Sequence, residues 1–125
     1  MKILTALPLM ILCFSTKASD FKKLNGTLSL YQSKNHTAFS INSSLGTTSE
    51  VCEIGGELTL IDARKGQRNR WVYSDQSSMC VVLISELDNG AMQVISKDCD
   101  KHCSVTSIGS INGTYNKWKI ILAWN

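Results

Sequence analysis

The sequence predicts a single small all-β domain, an antiparallel sandwich or barrel of about seven or eight strands stabilised by disulfides. Three observations predict it. Successive short segments alternate apolar and polar residues with period two. Turn dipeptides separate those segments. An even set of cysteines follows an apolar leader.

The leader comes first. Lys2 gives a positive start, Ile3 to Phe14 is a short apolar run, and Thr16 and Ala18 fit a small-residue cleavage site. Residues 1–18 therefore read as an export signal and residues 19–125 as the β-domain. The apolar run is too short to remain as a spanning helix. Cys13 leaves with the leader, and Leu12 before it does not match the small residue that precedes a lipid-modified cysteine. No stable membrane anchor is expected. The expected compartment is oxidising, periplasmic or secreted. Losing Lys2 and Lys17 lowers the formal charge from +3 to about +1. A near-neutral domain gives no electrostatic case for nucleic acid as a partner.

The strands follow in order. Leu28 and Leu30 alternate with polar neighbours, as do Phe39 and Ile41. Cys52, Ile54, Leu58 and Leu60 share one parity, with Glu53, Glu57 and Thr59 on the other. Gly55-Gly56 interrupts this run and predicts a bulge or bend. Trp71-Val72-Tyr73 is a short aromatic strand. Met79 to Leu83 is apolar on both faces and reads as a central strand, and Met92 and Val94 alternate again. Trp118, Ile120, Leu122 and Trp124 share a final face. On that reading Trp118→Ala or Leu122→Ala opens a core cavity costing about 2–5 kcal/mol. Asn25-Gly26, Leu45-Gly46, Asn89-Gly90 and Asn112-Gly113 are turn signals, and Asp88-Asn89-Gly90 is a hairpin signal.

Cys52, Cys80, Cys99 and Cys103 allow three pairings. The short spacing of Cys99 and Cys103 favours their closing a small loop, which leaves Cys52 with Cys80. Asp98 to Cys103 also contains zinc-ligand types, but no second ligand pair of recognised spacing follows. Disulfides are the expected fate, and no metal or cofactor is called for. Paired cysteines leave no thiolate nucleophile. No Gly-x-Ser-x-Gly elbow occurs, and His36 and His102 lie in no recognisable catalytic motif. A non-enzymatic protein is expected. Arg64-Lys65-Gly66-Gln67-Arg68-Asn69-Arg70 is the one concentrated basic segment. Arg64, Lys65, Arg68 and Arg70 are candidate contacts for an acidic partner, a protein above all, or for an anionic glycan. Sequons begin at Asn25, Asn35, Asn42 and Asn112 and mark exposed turns if used.

Late in the chain, Cys99-x-x-x-Cys103 is followed by Gly113-Thr114-Tyr115-Asn116-Lys117. This cysteine pair and Gly-x-Tyr-x-Lys pattern resemble small periplasmic bacterial β-proteins related to lysozyme inhibitors, over about the last seventy residues. The resemblance implies a β-domain that occludes the cleft of a lysozyme-like cell-wall hydrolase. It adds Ser110, Tyr115 and Lys117 as partner contacts. Lipid-anchored members use a serine-glycine loop, whereas Gly109-Ser110 has the reverse order here. The other expectations are an immunity protein against a rival's cell-wall toxin and a structural domain of an envelope or surface assembly. Contacts are expected from loops at one end of the domain, namely Arg64–Arg70 and Ser110–Lys117.

Overall fold

The computed structural model describes residues 17–45 and 51–118. It is a closed antiparallel barrel in which each strand pairs with the next and the last pairs with the first. The strands are β1 (Lys17–Lys23), β2 (Gly26–Gln32), β3 (Thr37–Ser43), β4 (Cys52–Ile61), β5 (Gln67–Asp75), β6 (Cys80–Leu87), β7 (Met92–Lys97) and β8 (Gly113–Lys117). Two short 3-10 turns, Asp100–His102 and Val105–Ser107, lie between β7 and β8. Of the two predicted architectures, the barrel is the one formed.

The alternation fills the interior. Leu28, Leu30, Phe39, Ile41, Ile54, Trp71, Val82, Ile84, Met92, Val94 and Tyr115 are all at most 5 % exposed. An eight-stranded barrel is just wide enough for inward side chains to pack against one another. The first strand has no comparable signal. In Lys17–Lys23 only Phe21 is buried, so its period is invisible among charged and polar neighbours. It is recruited by pairing, with Lys17 to Lys23 opposite Gln32 to Gly26. Its first two residues, Lys17 and Ala18, lie on the leader side of the expected cleavage point.

Several expectations are corrected. The β3–β4 register runs unbroken through Gly55 and Gly56, opposite Ser40 and Phe39, so the glycines form no bulge. They permit close approach instead. A Cβ on Gly56 would lie 2.5 Å from Cε1 of Tyr73, whose ring meets Phe39 edge to face at 5.3 Å. The register shift falls between Gln67 and Asn69, in β5. Leu60 has the inward parity yet is 63 % exposed. The reason is that β4 pairs with β3 only as far as Leu58 and continues along β5 beyond β3. Met79 is a turn residue at φ 64° and 71 % exposed, and the strand starts at Cys80. Trp118 is 51 % exposed, with the Lys22 ammonium 4.2 Å from its ring, so it is not a core residue. Ile120, Leu122 and Trp124 lie outside the described residues, as does Gly46.

The disulfides are Cys52–Cys103 and Cys80–Cys99, not the expected Cys99–Cys103 and Cys52–Cys80. Topology explains the difference. β5 stands between β4 and β6, and next-nearest strands lie about 9.5 Å apart, beyond the ~7 Å reach of a disulfide. Val81 pairs with Lys97, which brings the ends of β6 and β7, with Cys80 and Cys99, together. Cys103 bridges to Cys52 as an isolated β-pair after the 3-10 turn at Asp100–His102. In the chain-entropy picture the 51-residue separation is worth about 4 kcal/mol and the 19-residue separation about 3 kcal/mol.

Non-reducing peptide mapping of the purified, oxidised protein is expected to recover the 52–103 and 80–99 links, and a 99–103 link would contradict the fold. Denaturant unfolding is expected to show Gly56→Ala destabilised by about 1–3 kcal/mol through crowding of Tyr73. Trp118→Ala is expected to cost no more than about 1 kcal/mol.

Candidate functional site

The two ends of the barrel differ. At one end the long β7–β8 connection folds across the interior and is fastened there. Both disulfides lie at this end, and Ser107, Ser110 and Ile111 of the connection are at most 1 % exposed. The Ser110 and Ser43 hydroxyls are 2.8 Å apart, and Ser110 Oγ lies 3.3 Å from Cys52 Sγ. A chain in which Ser43 donates to Ser110, and Ser110 to the sulfur, satisfies both hydroxyls. Tyr115 donates its phenol to the Ile111 carbonyl at 2.7 Å, and burial pushes its ionisation well above the ordinary tyrosine range. Asp75, the last residue of β5 at this end, accepts from the Ser77 and Ser78 hydroxyls, which hold its carboxyl below the usual range. His102 lies 3.7 Å from the same carboxylate.

Ser110 and Tyr115 are therefore parts of this closure. Neither presents a polar group to a partner, which corrects their assignment as contacts. The two candidate segments do not share an end either. Strand direction places the Ser110 turn at the stapled end and the β4–β5 connection carrying Arg64 and Lys65 at the other. Lys117, at the far end of β8, belongs with Arg64 and Lys65.

That second end is open. It is formed by the β2–β3, β4–β5 and β6–β7 connections together with the start of β1 and the end of β8. A cavity of about 330 Å³ enters the barrel there, with Phe21, Leu30, Trp71 and Met92 below and Gln32, Glu86 and Lys117 at the rim. A second hollow of about 290 Å³ adjoins it, sharing Gln32 and Trp71 and reaching Lys34, His36 and Leu60. Trp71 thus forms a common wall although it is only 3 % exposed.

The loops around this mouth are braced. Gln67 donates its backbone N–H to the Arg64 carbonyl, and its side-chain oxygen accepts from Arg64 N at 2.9 Å. Asp88 N donates to the Gly66 carbonyl at 3.2 Å, joining two loops. Arg68, the residue at the register shift, donates to the Asp88 carbonyl and lies 3.9 Å from Glu86. Asn69 donates to the other Glu86 oxygen at 2.8 Å. His36 Nδ1 lies 3.3 Å from Glu57, in an exposed pair. Arg68 is therefore half committed to holding loops together, and Arg70 has a buried Nε. Arg64 and Lys65 remain fully presented at the tip.

Sequence reasoning missed Gln32, Glu86 and Lys34 as members of this end. The inward parity of Gln32 and Glu86, continuing the rows of Leu28 and Leu30 and of Val82 and Ile84, was the available signal. Among the described residues no group of three or more histidines, cysteines or acids is placed to hold a metal, and no helix is long and apolar enough to cross a membrane. Comparison with protein-family models, with curated proteins and with solved structures gave no match.

The buried phenol makes a pH prediction with a defined sign. The folded state keeps Tyr115 neutral, while the unfolded chain ionises near pH 10. Its contribution is full below that pH and is lost as pH rises further. Tyr73 acts in the same direction through burial and then Asp75, whereas Lys23, lowered by burial, acts in the opposite one. Comparing wild type with Tyr115→Phe isolates the first group. Denaturant titrations from pH 8 to 11 are expected to show a shallower alkaline loss in the variant. At pH 8 it should be less stable by about 1–2 kcal/mol, from the carbonyl left unpaired.

Proposed function

We propose that this is an exported, non-enzymatic binding protein, periplasmic or secreted, that inhibits a lysozyme-like cell-wall hydrolase. The open end of the barrel is the docking surface. The observation that carries the reading is the set of cations around that mouth. Lys34 stands there on the β2–β3 connection, Arg64 and Lys65 on the β4–β5 connection, Arg68 near the start of β5 and Lys117 at the end of β8. Glu57, Asp62, Glu86 and Asp88 offset them only in part, and Glu86 is already engaged by Asn69 and Arg68.

Glycoside hydrolases act through a pair of carboxylates in a cleft. The exposed Arg64–Lys65 tip complements such a cleft in charge, and occlusion requires no chemistry from the inhibitor. The closed barrel supplies rigidity. Two disulfides are consistent with an oxidising compartment, where such hydrolases also operate. The resemblance of the late cysteine pair and the Gly113–Lys117 strand to lysozyme-inhibitor domains supports the same reading. Its functional residues differ from the expected set, because Ser110 and Tyr115 are interior.

The test is titration of the purified protein into lysozymes of several classes and a panel of cell-wall toxin hydrolases. Inhibition of at least one at micromolar concentration is expected. The triple variant Lys34→Ala, Arg64→Ala, Lys65→Ala is expected to associate roughly tenfold more slowly at low salt, with a flatter salt dependence. Absence of binding throughout the panel would remove the reading. Inhibition unchanged in the triple variant would move the contact surface away from the open end.

A further inference from the structure

We propose that the mouth of the barrel is itself a small-molecule site, selective for a compact carboxylate, independent of any protein partner. The cavity of about 330 Å³, counted with Lys17 and Ala18 in its wall, is at the lower end of the roughly 300–1,000 Å³ typical of ligand pockets; cleavage after Ala18 opens that side and leaves the floor of Phe21, Leu30, Trp71 and Met92 to limit the ligand. The site therefore admits a single ring or a short branched body. Barrel mouths are a preferred location for such sites, because inward side chains converge there while the strands hold them in place.

The chemistry follows from which groups are already satisfied. Glu86 lines the mouth, but one oxygen accepts from Asn69 at 2.8 Å and the other faces Arg68 at 3.9 Å. That carboxylate is compensated. Lys117 lines the same cavity, and among the described residues it has no ion-pair partner. The Gln32 side chain, also at the rim, has no hydrogen-bond partner among them either. Ser19 lines the mouth as well, and after cleavage behind Ala18 its α-ammonium takes the place of the Lys17 ammonium, so the surplus there is two ammonium groups and one primary amide. An anionic group that accepts several hydrogen bonds matches that surplus, and a carboxylate carrying a neighbouring amide or hydroxyl matches both kinds of group. Trp71 and Met92 provide a lower wall for the ligand's short apolar body. A long alkyl chain is excluded, because the interior beneath is filled by packed side chains. A free ammonium beside the ligand carboxylate is disfavoured, since it would stand against the Lys117 ammonium in the same mouth.

The experiment uses the protein as recovered from the periplasm of an expressing bacterium. The probes are N-acetyl-leucine, its neutral amide N-acetyl-leucinamide, free leucine and decanoate. Binding is read from NMR shifts of the Trp71 indole N–H and the Met92 methyl. Saturable shifts at both reporters are expected with N-acetyl-leucine, and at least tenfold weaker binding of the neutral amide and of free leucine. Lys117→Gln is expected to weaken N-acetyl-leucine about tenfold, Lys117→Arg to retain it, and Lys101→Gln at the stapled end to leave it unchanged. No saturable shift up to 20 mM, a threshold of roughly the weakest specific binding worth the name, overturns the proposal. So does equal binding of the neutral amide, a preference for free leucine or decanoate, or indifference to Lys117→Gln. These outcomes are independent of the hydrolase panel, so either reading can fail alone.

Discussion

The rest of the structure depends on the bridge between Cys52 and Cys103. It fixes the start of β4 to the middle of the β7–β8 connection, across 51 residues of sequence. Once it is made, Ser43 and Ser110 lie within hydrogen-bond distance over the same sulfur, and Ser107 and Ile111 are sealed beneath the connection. Hydroxyls placed this deep destabilise a fold unless they are paired. The bridge thus makes the polar contacts tolerable, and those contacts hold the connection over the barrel. Cys80–Cys99 secures the same connection at its root.

This closure sets the division of labour between the ends. A small barrel has little apolar interior to draw on, and disulfides stabilise it where connections are longest. Concentrating both of them at one end leaves the other end to be held by strand pairing and a few loop contacts. Those contacts, Arg68 with Asp88 and Glu86 and Asn69 with Glu86, order the mouth without filling it. Binding groups are commonly carried in this way, on loops supported by a rigid scaffold.

Much of the fold was legible because its cause is local. Period-two alternation marked β2, β3, β4 and β7, and Asn89-Gly90 marked the tight turn before Met92. Lys17–Lys23 was not legible, because it has one buried apolar side chain and is a strand by virtue of its neighbours. The cysteine pairing failed for a related reason. Sequence spacing favoured Cys99 with Cys103, whereas partners are set by which strands lie side by side, and β5 separates β4 from β6. The Arg64–Lys65 tip was visible as a charge cluster. Ser110 and Tyr115 enter as contacts only through the family resemblance, and burial of a hydroxyl leaves no mark in composition to oppose it. Gln32 and Glu86 were passed over because a polar residue ending an apolar row reads as ordinary strand surface, although at a barrel rim it points inward.

The strand order also bears on how the chain reaches this state. Every ladder joins sequence neighbours except the β1–β8 seam, which rests on Phe21 with Lys117 and Lys22 with Asn116. Hairpins formed by adjacent segments can assemble early, because short loops close at little entropic cost. The seam and the 52–103 bridge both require distant parts of the chain to meet. They are natural last steps, and the bridge needs oxidising conditions to form. Until then the nearly complete sheet retains two unpaired edges, the feature that makes open β-structures prone to associate with one another. Ring closure therefore acts as protection as well as stabilisation, ending the period in which one copy could pair edge to edge with the next.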